Sequence, residues 1–181
     1  MKKLTDERGT PTPDGNGAKA RSDQDRPRRN GAKARLCRNS TADNGLTVSL
    51  TFDIRFSEVD SMQFVWHGAY ALYFEDAREA FGRHYGLDYL TIFRNGFYTP
   101  LVDLQFHYHH PLVYGMKPRI DIHYVPTEAA KIVFDYEIRD TADERLLATG
   151  HSVQVFLDKD YRLVWTNPDF YEQWKKKWLN R

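Results

Sequence analysis

The chain has 181 residues, 41% of them hydrophobic and 14% aromatic, which suffices for one buried core and falls short of two ordinary domains. With 26 basic against 25 acidic residues it is no uniformly basic nucleic-acid binder, and its single cysteine, Cys37, excludes an internal disulfide framework and a thiolate metal cluster. No apolar run approaches the ~20 residues of a membrane span, and the polar N-terminus lacks a secretory hydrophobic segment, so a cytoplasmic protein without stable membrane association is expected.

The charge is uneven along the chain. Residues 1–46 hold 11 Lys or Arg and 6 Asp or Glu, against 15 and 19 in the 135 residues that follow. This first segment is dominated by Gly, Pro, Asn, Asp, Ser and charged residues. It buries too little apolar area to offset the entropy of ordering, and reads as a disordered basic arm. NGAKAR occurs twice in it, at Asn16 to Arg21 and Asn30 to Arg35, too short a repeat for a solenoid. No aromatic residue interleaves with the charges to stack on bases, so nucleic acid is not an expected partner. Residues 47–181 are expected to form the folded domain.

Leu46, Val48, Leu50, Phe52, Ile54 and Phe56 alternate with polar residues. That period of two predicts an edge strand up to about Phe56, followed by a polar turn that presents Asp60. From His67 the pattern changes. Tyr70, Tyr73, Phe74, Ala77 and Phe81 recur at three or four residues, predicting a helix that ends near Tyr85 with Gly86 as its stop. Ala69, Leu72 and Ala80 widen the apolar surface, so an enclosed helix is expected, with Glu75, Asp76, Arg78 and Glu79 on its remaining side.

Four further strands are predicted at Leu101 to His110, Arg119 to Val125, Lys131 to Arg139 and Leu146 to Leu157. Asp140 to Glu144 and Asp158 to Asp160 read as hairpin turns, which makes the later strands antiparallel neighbours. Asn167-Pro168 reads as the entrance to a short terminal helix carrying Phe170, Trp174 and Trp178 on one stripe. The layout implies an α+β fold, one sheet wrapped around the long helix. Open sheet edges would be relieved by pairing two copies, so a homodimer is expected, or a tetramer built from it.

The chemistry concentrates between Asp60 and His67, seven residues apart. A carboxylate beside a helix start can serve as nucleophile or as base for water, and first-turn N–H groups can polarise a carbonyl. Taken alone, the same residues also suit a turn aspartate and a structural histidine. Glu58 precedes Asp60, but the strand-like pattern reaches only to 58, so the pair need not be a catalytic dyad. Phe64, Val65 and Trp66 would line an apolar channel for a substrate tail. His107 and His109 share a strand face without a third ligand, so no metal is expected.

The stretch EVDSMQFVWHGAYALYFEDAREAF resembles the signature of hotdog-fold acyl-CoA thioesterases of the 4-hydroxybenzoyl-CoA thioesterase type. The likeness extends from about Leu46 to Leu157 and includes VDLQFHYHHPLVYGM. The resemblance implies a hotdog fold and makes Asp60 the catalytic carboxylate, attacking the thioester or activating the hydrolytic water. It places His67 at the helix start, where a backbone N–H polarises the thioester carbonyl, and Tyr70 in the pocket packing. Glu75 gains no chemical role. Ser61-Met62-Gln63 stand where the family often has glycine, so Gln63 narrows the approach or contributes a substrate hydrogen bond. Ala69 stands where the family commonly has Asn. The implied substrate is an acyl-CoA or an acyl-carrier-protein thioester, with no cofactor beyond the CoA of the substrate. A non-catalytic acyl-thioester binder or scaffold is the alternative.

Overall fold

A computed structural model describes residues 45–179. The expected basic arm lies outside the described residues, apart from Gly45 and Leu46. The elements follow in the order β1 (Thr47–Thr51), a 3-10 turn (Phe56–Glu58), α1 (Ala69–Tyr85), α2 (Tyr89–Arg94), β2 (Leu101–Tyr108), β3 (Pro118–Tyr124), β4 (Lys131–Asp140), β5 (Leu146–Val155) and α3 (Asp169–Leu179). The strands form one antiparallel sheet in the order β1-β3-β4-β5-β2. This is the α+β arrangement that the alternation of periods predicts, with β1 and β2 at the edges.

One row across the sheet shows how the helix is held. Val48, Ile122, Tyr136, Gly150 and Phe106 lie opposite one another in successive strands, and α1 crosses this face. Phe74 of α1 stacks on Tyr136 at 4.1 Å and tilts against Phe106 at 4.9 Å. Its ring also fills the space over Gly150, where a Cβ would lie 2.0 Å from the ring. Further along α1, Phe81 packs on Phe134 at 4.9 Å, and the Tyr85 hydroxyl donates to the Thr47 carbonyl at 3.2 Å. The sheet therefore touches the helix from both edges as well as from its middle strands. Gly86 ends α1 in the left-handed conformation, φ 77, a backbone that glycine adopts without penalty.

The third helix closes the other end of the core. The Trp174 indole donates to the Tyr85 carbonyl at 2.9 Å, and the hydroxyls of Tyr171 and Tyr124 bond at 2.7 Å. Burial raises the pKa of the Tyr124, Tyr136 and Tyr171 phenols above the ordinary 10.0.

Several expectations are corrected. β1 stops at Thr51 rather than near Phe56: the Phe52 N–H goes to the Pro118 carbonyl and the chain leaves the ladder, so that Phe56 is 79% exposed instead of facing the core. The second strand stops at Tyr108, and α2 has no counterpart in the predicted layout. Arg78 is only 6% exposed rather than on a solvated side; its guanidinium donates to the hydroxyls of Tyr89 and Tyr136, which makes its burial tolerable. Leu72 is exposed, so the enclosure of α1 is incomplete. At α3 the Pro168 carbonyl accepts the first N–H groups, while the Asn167 side chain donates to the Glu128 carbonyl and the Glu172 carboxylate. Among the described residues no helix is long and apolar enough to cross a membrane.

Two predictions follow from this packing. Gly150→Ala drives a methyl group into a fully buried ring, and is expected to destabilise by about 1–3 kcal/mol in denaturant unfolding. The raised phenol pKa values mean that the fold favours the neutral form. That contribution is complete below the ordinary value and declines above it, so the denaturant midpoint is expected to fall as pH rises past about 10.

Candidate active site

The site is built by the ribbon that links β1 to α1. In the 3-10 turn the Glu58 carboxylate accepts the Arg55 N–H at 3.0 Å and the Tyr73 hydroxyl at 2.7 Å, tying the turn to α1. Burial and the Glu58 charge together hold the Tyr73 phenol neutral, its pKa well above the usual range. Glu58 is thereby engaged in holding the turn to α1.

Asp60 sits at the neck of a tight hairpin. Its N–H donates to the Phe64 carbonyl at 2.8 Å and its carbonyl accepts the Gln63 N–H at 3.0 Å. Its Oδ1 accepts the N–H groups of Met62 at 2.8 Å and Phe64 at 3.2 Å. Among the described residues no donor meets the other oxygen, Oδ2, which leaves it available to a substrate or a water. Gln63 at the tip has φ 67, the left-handed region that glycine occupies at least cost. That geometry accounts for the glycines implied at this turn by the family resemblance, and shows that this chain accepts some backbone strain there.

From the hairpin the chain runs directly to the helix. Val59 and Val65 bridge across it, Phe64 bridges to Val113, and the Val65 N–H donates to the Leu112 carbonyl at 2.8 Å. The Trp66 N–H returns to the Glu58 carbonyl at 2.8 Å, and the Trp66 carbonyl accepts the Ala69 N–H at 2.9 Å to open α1. Gly68 is the N-cap residue. Among the described residues, no protein acceptor meets the N–H groups of His67, Gly68 or Tyr70. These are donors of the kind that a helix start offers to a carbonyl oxygen.

A cleft of about 330 Å³ opens at this point. Asp60, Met62, Phe64, Val65, His67 and Tyr70 line one side; Tyr108, His109, His110 and Pro111 line the other. Tyr70 is buried, which raises its phenol pKa. Tyr108 reaches across from β2, with its ring edge-on to Tyr70 at 4.8 Å and its hydroxyl donating to the His67 carbonyl at 3.4 Å. Helix start and edge strand thus meet through this one side chain.

Five of the sequence-selected residues, Asp60, Phe64, Val65, His67 and Tyr70, share this cleft. Gln63 and Trp66 lie outside its lining. Gln63 is exposed at the hairpin tip, and Trp66 folds back over Gly68 instead of extending the wall begun by Phe64. The opposite wall, Tyr108 to Pro111, is not among the residues that the sequence singles out for the site. Its signal was the alternation of Leu104, Phe106 and Tyr108, which carries the last of them to the helix start. The His109 and His110 N–H groups then share the Leu147 carbonyl, at 2.9 and 3.0 Å, as the strand ends. Among the described residues no group of three His, Cys, Asp or Glu is arranged to hold a metal ion.

The model of the thioesterase-like superfamily matches residues 54–175. A putative acyl-CoA thioesterase of Bacillus subtilis (strain 168), YneP, is 29% identical over 108 residues, spanning 60% of this chain and 78% of its own. Among solved structures, a DHNA-CoA thioesterase from Staphylococcus aureus superposes with a TM-score of 0.65 at 24% identity, over 72% of this chain and 90% of that one. A mutant 4-hydroxybenzoyl CoA thioesterase complexed with 4-hydroxybenzoyl CoA gives 0.63 at 19% identity, over 71% and 98%. At such identities the structural likeness bears on the fold.

The tie between Glu58 and α1 is open to direct measurement. Tyr73→Phe removes a hydrogen bond to a carboxylate that is mostly sheltered from solvent, and a loss of about 1.5–3 kcal/mol is expected in denaturant unfolding.

Proposed function

Because the chain belongs to the thioesterase-like superfamily, we propose that it hydrolyses acyl-CoA thioesters, with Asp60 as the catalytic carboxylate. Thioester hydrolysis is the chemistry of the family. The reading of CoA as the carrier draws on the relatives named above, and the assignment of roles rests on one observation. The cleft brings the Asp60 carboxylate together with the N-terminus of α1.

In the general-base form, Asp60 Oδ2 takes a proton from water as the water oxygen adds to the thioester carbonyl carbon. The carbonyl oxygen becomes an oxyanion, which the first-turn N–H groups of α1 at His67 and Gly68 stabilise. Collapse of the adduct re-forms the carbonyl, breaks the carbon–sulfur bond and returns a proton to the departing thiolate. In the nucleophilic form Asp60 adds to the carbonyl carbon, the carbon–sulfur bond breaks to expel the CoA thiolate, which takes up a proton from solvent, and water then cleaves the resulting anhydride to release the acid and restore the Asp60 carboxylate. Both forms give a carboxylic acid and CoA. Phe64, Val65 and Tyr70 would pack the acyl group, and the His67 imidazole lies on the same wall to orient substrate or water. No step in this scheme calls on a cofactor.

A homodimer paired through β2 belongs to the same proposal, with the tetramer as its further assembly. β2 is an edge of the sheet and exposes Leu101, Val102 and Tyr108. An antiparallel two-fold pairing of β2 would set the Leu101 end of one copy beside the Tyr108 end of the other, and so beside its cleft. A cytoplasmic setting completes the proposal, in keeping with the single cysteine of the chain.

The test is release of free thiol across short, medium, long and aromatic acyl-CoAs and an acyl-carrier-protein thioester. Asp60→Asn is expected to lower kcat by about 10²–10⁴-fold while far-UV circular dichroism and assembly size stay as in the wild type. Turnover unchanged by that substitution removes Asp60 from the mechanism. Tight binding of the thioesters without turnover would instead favour a binding protein.

A further inference from the structure

We propose that Trp66 is a positioning residue. Its indole, seated on Gly68, closes the outer side of the α1 mouth, so that a carbonyl oxygen reaches the first-turn N–H groups only from the side of Asp60. The proposal rests on the thioesterase reading and assigns Trp66 a role other than packing the acyl chain.

Gly68 has φ −70 and ψ −20, a right-handed helical conformation open to every residue. The backbone therefore makes no demand for glycine. Nor does glycine supply a cap, since this helix start has no side-chain capping hydrogen bond. What requires glycine is the ring above it. A Cβ at position 68 would stand 2.1 Å from Cη2, 2.2 Å from Cζ3 and 2.7 Å from Cζ2 of Trp66.

The indole is 54% exposed, so burial in the core does not explain its position. Its backbone is held at both ends, the N–H by Glu58 and the carbonyl by Ala69, and its ring tilts against His67 at 5.1 Å. The ring occupies the direction in which a Cβ of Gly68 would point, and so covers that side of the peptide. A donor kept from water on its outer side stabilises a developing oxyanion more than a fully hydrated one does.

The test is a double-mutant cycle in the full chain. A methyl group at position 68 meets only the far end of an exposed side chain, so Gly68→Ala is expected to fold and to swing the ring outward. Gly68→Ala and Trp66→Ala are each expected to lower kcat for acyl-CoA hydrolysis about tenfold, with a smaller change in KM. The double variant should be no slower than either single one, and Trp66→Phe should recover part of the rate. In a Trp165→Phe background, which removes the most exposed of the four tryptophans, acrylamide should quench the fluorescence of Gly68→Ala more strongly than that of the parent. Effects that multiply in the double variant, a kcat of Gly68→Ala within twofold of wild type, or a faster Trp66→Ala enzyme would each overturn the proposal while leaving the thioesterase reading intact. A folded wild-type protein that releases thiol from no acyl-CoA overturns both.

Discussion

The packing of the Phe74 ring onto the bare backbone of Gly150 fixes the depth at which α1 lies in the sheet, and the cleft follows from that depth. Tyr136 and Phe106 hold the same ring from neighbouring strands, so α1 can neither rise from the sheet nor slide along it without opening a void. Once α1 is placed, so is its N-terminus. That end meets the edge strand β2 through Tyr108 and the incoming ribbon through Trp66. A helix start set less deeply would leave its N–H groups in bulk water, where they compete poorly for a carbonyl oxygen.

The neighbouring carboxylates divide the work between them. Glu58 takes hydrogen bonds from a phenol and a backbone N–H, and ties the ribbon to α1. Asp60, two residues on, gives one oxygen to the N–H groups of the hairpin, and among the described residues no donor meets the other. The same hairpin that orients Asp60 holds Gln63 in a left-handed backbone, so local strain is accepted beside this carboxylate. Positioning is thus accomplished almost wholly by backbone hydrogen bonds over a short stretch of chain, and this makes the geometry robust to side-chain changes elsewhere in the loop.

Much of this was legible in the sequence because it rests on period. The apolar repeat of α1 found its buried residues, and the alternating strands and their turns made the later strands antiparallel neighbours. The Asp60 to His67 spacing singled out a stretch whose two ends do meet at one cleft. What stayed hidden depends on long-range partners. Phe56 continues the alternation of β1 in sequence, yet the strand has already lost its neighbour, so the pattern points the wrong way. Arg78 looks like a surface residue until Tyr89 and Tyr136, distant in sequence, supply its acceptors. His109 and His110 become part of the cleft only because β2 ends beside the start of α1. Trp66 looks like channel lining until Gly68 is seen beneath its ring.

The most direct measurement is a crystal structure of the full-length protein with a non-hydrolysable acyl-CoA analogue. The account requires the analogue's carbonyl oxygen within hydrogen-bond distance of the first-turn N–H groups of α1, with an Asp60 carboxylate oxygen or its bound water facing the carbonyl carbon. An analogue held elsewhere on the protein, or held in the cleft with its carbonyl turned away from both groups, would contradict it.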